Sequence, residues 1–458
     1  MKGVIGVFSK NNATQKAIYI LYGVQHRGQE SAAISSSSGK SLRTWRGKGL
    51  VSNVLQGHFT SFIHPSDYVL IGCASGENTD QGHLPPAILE SDNYKISLAF
   101  DGFLFNTNNN LGEKKLGKII LENIESKGVK AGLIKAIQSF PHGYYSMVIN
   151  ILDKKNETSQ LVIYRDRYGV RPLFIGYNDS EFFVASESAP FDVLESMGTE
   201  LKERRDCTPG SLIIIGENEI QEISIHEPTP AHCAFEWVYF GRPDSIIEGI
   251  SVHRVRKKLG HLLTKTHSLD QQYKEDIKNA KQISIIPVPD SGRSVSVGVA
   301  EAVGITADEG IIKNAYIGRT YIIDDPEYRK IASDLKHNII KATVKNKKVL
   351  ITDDSIVRGT VSESVAKNLL KAGAKEVEIL VSYAPIFYPC FSDPIDKPLA
   401  AAKYKGQNIK EIGNQVAENL PSINKVHFNT VKNVLEAIGL PNNHICSYCA
   451  SGINPLKG

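Results

Sequence analysis

The sequence lacks the features that would place it in a membrane, outside the cell or on nucleic acid. No apolar run approaches the ~20 residues that a membrane-spanning helix needs. The opening Met1-Lys-Gly-Val-Ile-Gly-Val-Phe8 meets polar Ser9-Lys-Asn-Asn12 too soon for a secretory signal, so a cytoplasmic, reducing setting is expected. The formal net charge is only +4 over 458 residues, which argues against a dedicated nucleic-acid binder. Six cysteines in a reducing setting are expected to be free, catalytic or metal-bound rather than disulfide-paired. There is no internal repeat, and the single low-complexity run, Ser35-Ser-Ser-Ser38 before Gly39, reads as a hairpin loop. What remains is ordinary globular composition, 41% hydrophobic and 22% charged, with length for two or three domains.

The most informative stretch is Val349-Leu-Ile-Thr-Asp-Asp-Ser-Ile-Val-Arg-Gly-Thr360. An apolar strand follows the basic run Lys345-Asn-Lys-Lys348 and ends in two acids, Asp353 and Asp354. A loop of small and hydroxyl residues leads into a helix through Glu363 to Ala372. Strand, loop and helix in this order place backbone N–H groups and a positive helix end at the carboxyl edge of a parallel sheet, where a phosphate fits. Ser355 and Thr360 add hydroxyl donors and Arg358 a charge. The two acids suit ribose hydroxyls or a magnesium ion; for the acids alone, a plain Asp-Asp turn is the alternative. A second strand ends in Pro287-Val-Pro-Asp-Ser-Gly292 before a helix at Ser294 to Val303, a candidate cradle for a pyrophosphate.

Taken in order, the first half alternates strand-like segments and turns as far as about Ile225, among them Gly3–Phe8, Tyr68–Ile71, Ile96–Phe100, Tyr145–Ile149, Leu161–Tyr164, Phe182–Ala185 and Leu212–Ile215. Few crossover helices intervene, which predicts an α+β domain of layered antiparallel sheets. The run His226-Glu-Pro-Thr-Pro230 reads as a linker. Beyond it, helix Val252–Ser268, strand Ile283–Val288 and strand Val377–Val381 continue a βαβ series and predict a parallel sheet. The expected division is residues 1–225 and 226–458. Four cysteines of the second half, Cys233, Cys390, Cys446 and Cys449, include the pair Cys446-Ser-Tyr-Cys449. Two thiolates at that spacing chelate one centre, and two from distant loops complete a set that zinc or iron–sulfur would accept. Cys73, Cys207, Trp45, Trp237 and the turn Arg171-Pro172 read as packing residues.

The Asp353–Thr360 run resembles the 5-phosphoribosyl-1-pyrophosphate (PRPP) loop of type I phosphoribosyltransferases. The whole chain is similar to the glutamine PRPP amidotransferase (amidophosphoribosyltransferase) family of purine biosynthesis. Further matches are Phe240–Ser245, Ile250–Val252, Ile286–Gly292, Ile312–Asn314, Tyr316–Thr320, His26–Ala32, Tyr168–Leu173, Ala185–Ser188 and Pro209-Gly210. The resemblance implies an N-terminal-nucleophile glutaminase domain, an αββα sandwich, joined to an α/β phosphoribosyltransferase domain. In such proteins ammonia from glutamine reaches PRPP and forms phosphoribosylamine. It implies that Asp353 and Asp354 bind ribose hydroxyls and Mg2+ with Ser291 beside the metal. Ser355, Ile356, Val357, Arg358, Gly359 and Thr360 would hold the 5-phosphate, and Asp290, Ser291 and Gly292 the pyrophosphate. Lys313, Tyr316 and Arg319 would belong to a loop that closes over PRPP. It also implies that the four cysteines are ligands of a structural [4Fe-4S] cluster, with zinc as the alternative.

The first half departs from that family. Lys2 stands where the family has its nucleophilic cysteine, and no cysteine precedes Cys73. Ser75, in Cys73-Ala-Ser-Gly-Glu-Asn78, replaces the arginine that holds the glutamine carboxylate. Asp101, in Asp101-Gly-Phe103, replaces an oxyanion-hole asparagine and would repel the developing charge. Asn108-Asn-Asn110 replaces an acid-bearing helix start. The expectation is therefore a folded but inactive glutaminase domain beside a PRPP-binding domain that uses ammonia. The alternative is a non-catalytic PRPP- or nucleotide-binding subunit that regulates or scaffolds an active paralogue; acids Asp324, Asp325 and Asp334 in the closing loop favour it, although Arg329, Lys330 and Lys336 remain. Expected partners are PRPP, purine nucleotides and further subunits, as a homo-oligomer or with the paralogue.

Overall fold

The computed structural model describes residues 1–55, 64–76, 84–105, 112–278, 282–314, 337–391 and 398–456. The chain divides into two compact units, Met1–Cys233 with Asp244–Gly249, and Ala234–Pro243 with Ile250–Gly458. The first unit runs past the predicted boundary. In the stretch that reads as a linker, Thr229 N donates to Arg167 O (2.9 Å) and Ala231 N to Tyr168 O (2.7 Å), so residues 226–233 are stitched to the first unit.

The strands of the first unit are β1 Lys2–Phe8, β2 Ser31–Ser37, β3 Leu42–Lys48, β4 Val69–Ser75, β5 Ala87–Glu90, β6 Tyr94–Leu104, β7 Gly143–Asp153, β8 Thr158–Arg165, β9 Phe174–Tyr177, β10 Phe182–Ala185, β11 Glu203–Asp206, β12 Ser211–Ile215 and β13 Ile220–Ser224. One sheet has the order β11-β9-β10-β1-β4-β2-β3 and the other β13-β12-β8-β7-β6-β5. The pairings within them are antiparallel. Val4, Ile71 and Cys73 of the first sheet meet Ala99, Val148 and Ile163 of the second in one buried core. The outer face of the first sheet is covered by α1 (Ala13–Gly23), α2 (Val51–Leu55) and α5 (Ala189–Ser196). The outer face of the second is covered by α3 (Gly112–Lys127) and α4 (Val129–Gln138). This is the predicted αββα sandwich. It explains why β1, central and covered on both faces, is a continuous apolar run rather than an alternating one.

The second unit is built on a four-stranded sheet in the order β14 (Ile283–Pro287), β15 (Lys348–Asp353), β16 (Glu376–Val381), β17 (Lys425–Phe428), parallel throughout. One face, with Ile286, Ile351 and Ile379, packs on α8 (Thr360–Lys371) and α9 (Ile409–Glu418). The other, with Ile285, Leu350 and Leu380, packs on α6 (Val252–His267) and α7 (Arg293–Val303). Helices α6 and α7 approach so closely that a Cβ on Gly298 would stand 2.0 Å from Lys257 O. The sheet is the predicted one with an unforeseen fourth strand, β17. No helix among the described residues is long and apolar enough to cross a membrane.

Candidate functional site

In the second unit, the local order strand, acids, loop, helix gathers the predicted phosphoribosyl residues. Asp353 ends β15 and Asp354 follows it; both are buried. Asp353 Oδ1 accepts from Ser291 Oγ (3.2 Å) and from Asp354 N (2.9 Å), and Asp354 Oδ2 accepts from Ser355 Oγ (2.6 Å). Burial, and then the Asp354 carboxylate beside it, push the Asp353 carboxyl well above its usual range. An Asp353 carboxylate held out of water beside a second acid is stabilised as an anion by a nearby cation. The pair and Ser291 therefore fit a divalent metal.

The loop that follows has Ile356 buried as an anchor, with Arg358 and Thr360 exposed. Gly359 sits at φ 82° as the residue before α8, a left-handed conformation that glycine adopts without a Cβ penalty. The twelve-residue α8 thus begins at Thr360 with its positive end toward the loop.

The pyrophosphate candidate, Val288–Gly292, is tied to β15. Val288 N donates to Thr352 O (2.9 Å) and Thr352 Oγ1 to Gly292 O (3.0 Å). A Cβ on Gly292 would lie 2.1 Å from Thr352 O, so only glycine permits this approach. The Pro289–Asp290 peptide is cis. Lys313 Nζ stands 3.2 Å from Asp290 Oδ2, and Arg293 Nε 3.5 Å from Asp290 Oδ1. The structure therefore brings together Asp290, Ser291, Gly292, Lys313 and Asp353–Thr360. Tyr316, Arg319 and the acids and bases from Asp324 to Lys336 lie outside the described residues.

In the first unit Lys2, Ser75 and Asp101, expected to depart from the family pattern, also converge. Lys2 pairs with Ser75 across β1 and β4. Lys2 N donates to Asp101 Oδ1 (2.8 Å), and Arg171 Nε lies 3.8 Å from Asp101 Oδ2. The buried Lys2 ammonium forms an ion pair with Glu113 Oε1 at 2.8 Å. Glu113 was not singled out in the sequence. Asn108–Asn110 fall outside the described residues, but α3, which follows, does carry an acid in its first turn. That corrects the expectation of a helix start without one. An acidic residue in a helix first turn is the available signal; its partner 111 positions away is not readable locally. His26 Nε2 and Arg27 Nε each lie 2.6 Å from Glu187 Oε1, and Ser245 Oγ donates to Glu187 Oε2 (2.7 Å); Arg27, Glu187 and Ser245 are buried and His26 is partly exposed.

Of the cysteines, Cys73 and Cys207 are buried in the core between the two sheets, as expected for packing residues. Cys233 closes the main segment of the first unit. Cys390, Cys446 and Cys449 belong to the second. Burial, together with the charges of neighbouring thiols, pushes Cys446 up to about 12 and Cys449 up to about 11. Cys390 is among the neighbours that raise both. A bound cation draws the Cys446 and Cys449 thiols to the thiolate form, so their donor chemistry fits a thiolate-ligated metal centre. Among the described residues no three His, Cys, Asp or Glu side chains form a group able to hold a single metal ion, so the fit rests on donor chemistry and burial.

A family model for a glutamine amidotransferase domain matches residues 78–192. Curated amidophosphoribosyltransferases align over nearly the whole chain. The Methanocaldococcus jannaschii protein is 30% identical, covering 100% of this chain and 98% of its own. The Bacillus subtilis protein is 31% identical, covering 99% and 94%. This chain belongs to the amidophosphoribosyltransferase family. Two solved structures agree over the full fold. One is described as the allosteric regulatory enzyme of purine biosynthesis, with TM-score 0.81, 29% identity, and 99% and 96% of the two chains covered. The other is the glutamine PRPP amidotransferase of B. subtilis complexed with ADP and GMP, with TM-score 0.80, 29% identity, and 99% and 97% covered. The layered antiparallel domain and the parallel-sheet domain are thus those of an amidotransferase of purine biosynthesis.

Proposed function

We propose that this family member binds PRPP with Mg2+ and forms 5-phosphoribosylamine from ammonia, and that its glutaminase pocket is closed. One contrast carries the reading. The described acid pair and the two candidate phosphate cradles of the second unit keep the residues that PRPP binding calls for, whereas the first unit has Lys2 paired with Glu113 where a thiol nucleophile would be needed. An ammonium held by a carboxylate has no lone pair with which to attack an amide. Asp101, an acceptor already engaged by Lys2 N, offers no donor to an oxyanion.

In the proposed reaction, the α8 N-terminus, Ser355, Arg358 and Thr360 hold the 5-phosphate, and Asp353 and Asp354 orient the ribose hydroxyls. Asp353, Asp354 and Ser291 would hold magnesium. When bound, it neutralises the pyrophosphate and stabilises the charge that builds on the leaving oxygens. The ammonia lone pair forms a bond to the ribose C1 as the C1–O bond to pyrophosphate breaks. The nitrogen then gives up a proton, and pyrophosphate departs with the electron pair. Lys313, which pairs with Asp290, would meet that leaving group. Cys390, Cys446 and Cys449, with Cys233 implied by the resemblance, are proposed to ligate a structural [4Fe-4S] cluster. Purine nucleotides are proposed ligands, because the B. subtilis neighbour is a complex with ADP and GMP. A cytoplasmic oligomer, with itself or with an active paralogue, is the proposed assembly.

Calorimetric titration of the native chain with PRPP tests the binding half. Binding that requires magnesium is expected, and no binding with magnesium present would overturn the reading.

A further inference from the structure

Tyr383 lies just beyond β16, two residues after Val381, and is 1% exposed. Its backbone N–H donates to Asp354 O (2.9 Å), while the N–H of Ser382 donates to Asp353 O (2.9 Å) and Ser382 Oγ to Asp354 O (3.2 Å). The two residues therefore fix the carbonyl side of the acid pair. The Tyr383 side chain points to a different place. Its hydroxyl is 3.3 Å from Cys449 Sγ, and its ring meets Phe235 edge-on at 4.8 Å between centroids. Phe235 is two positions from Cys233. Downstream, Phe387 N and Tyr388 N both donate to Cys449 O (2.9 and 3.0 Å), so the segment that starts at Tyr383 wraps Cys449 and reaches Cys390.

A thiol and a hydroxyl can each donate to the other. Once the sulfur is a metal-bound thiolate, only the hydroxyl can donate. Hydrogen bonds to ligating sulfur favour the state of the centre that carries more negative charge, the reduced one. One buried residue thus joins a candidate ligand sulfur, by its side chain, to the phosphoribosyl acids, by its backbone.

We propose that Tyr383 is a positioning residue that donates a hydrogen bond to the Cys449 sulfur and couples the thiolate centre to the Asp353–Asp354 loop. This rests on the thiolate-centre reading above. Phosphoribosyl binding and the state of the centre then influence each other reciprocally, because both act on the same tyrosine.

The test uses the full chain, purified without oxygen, as native protein, as Tyr383→Phe and as Phe235→Leu. Iron and acid-labile sulfide, the reduction midpoint by spectroscopic titration with and without PRPP and magnesium, and the KM for PRPP are read for each. Tyr383→Phe keeps the ring and removes the donor. It is expected to lower the midpoint by a tenfold change in the reduced-to-oxidised ratio, ~59 mV for one electron, and to shrink the shift that PRPP causes. Phe235→Leu removes the ring contact and keeps the donor, and its midpoint is expected to stay native. Metal loss confined to Tyr383→Phe, at native fold by circular dichroism, equally supports a hydroxyl that holds the sulfur. A native midpoint and native PRPP response in Tyr383→Phe overturn the proposal, as does an equal shift in Phe235→Leu. A native chain without metal or sulfide overturns the thiolate centre itself, and the tyrosine's role with it.

Discussion

Glu113 holds the Lys2 ammonium at 2.8 Å, with side-chain exposures of 13% and 7%. At an effective dielectric of ~20 the attraction at this separation is about 6 kcal/mol, and each ion gives up several kcal/mol of hydration to be there. The pair is close to balanced as a pair, so removing one partner is the informative change. Glu113→Leu takes away the carboxylate and leaves the buried ammonium, at a cost of about 3 kcal/mol, with a few tenths more from losing an acid in a helix first turn. Lys2→Met/Glu113→Leu removes both charges and is expected to fall within about 1 kcal/mol of native. The assay is native-state hydrogen exchange at the β1 and β4 amides. Glu113→Leu should speed exchange through opening of the first unit by about 150-fold, at 1.36 kcal/mol per tenfold, and the double variant should return most of it. A Glu113→Leu effect below about fivefold is what an exposed ion pair gives. It would refute a buried ion pair between Lys2 and Glu113.

Other outcomes follow from the same geometry. Asp354→Asn should lower kcat/KM for PRPP by at least about 100-fold, ~2.7 kcal/mol of transition-state stabilisation, while leaving the urea midpoint near native; an unchanged kcat/KM would remove the acid pair from the site. Gly292→Ala puts a Cβ 2.1 Å from Thr352 O, a backbone atom that cannot swing aside. PRPP affinity by calorimetry should fall more than about tenfold and stability by about 1–3 kcal/mol. His267 is held neutral by burial, its pKa lowered from 6.5 to about 4, with Nε2 2.8 Å from Phe428 O. The unfolded state binds the proton first, so this group's stabilisation is complete above about pH 6.5 and is lost as pH falls toward about 4, up to ~3 kcal/mol. Urea denaturation of native and His267→Gln protein across that window should show the difference vanishing at acid pH.

The sequence is most readable where chemistry and neighbours lie close along the chain. The Asp353–Thr360 and Pro287–Gly292 runs carry their own strand ends, acids and small residues, so their place at the carboxyl edge of a parallel sheet follows from local pattern. The sandwich is readable because β7 and β8 are long, apolar and bounded by turns. Strand β17, Lys425-Val-His-Phe428, was not foreseen because four residues with a lysine and a histidine give no strand pattern. His427 Nε2 is 2.8 Å from the buried Glu378 Oε2, so its polarity is satisfied by tertiary contact. The Lys2–Glu113 pair joins β1 to a helix across the fold, and no spacing rule reports it. The departures of Lys2, Ser75 and Asp101 from the family pattern are legible in the sequence. The pairing of Lys2 with Glu113 is not, because it depends on which side chains folding brings together. Tyr383 belongs to no motif and is visible only through the contacts that folding gives it.

Ammonia-dependent synthesis is tested most directly by one assay: PRPP consumption and pyrophosphate release by the anaerobically purified native chain, with magnesium and either ammonium or glutamine as the nitrogen source. Turnover with ammonium and none with glutamine is the predicted result. Turnover with glutamine would contradict the closed pocket at Lys2, and no turnover with ammonium while PRPP still binds would replace the enzyme with a regulatory subunit.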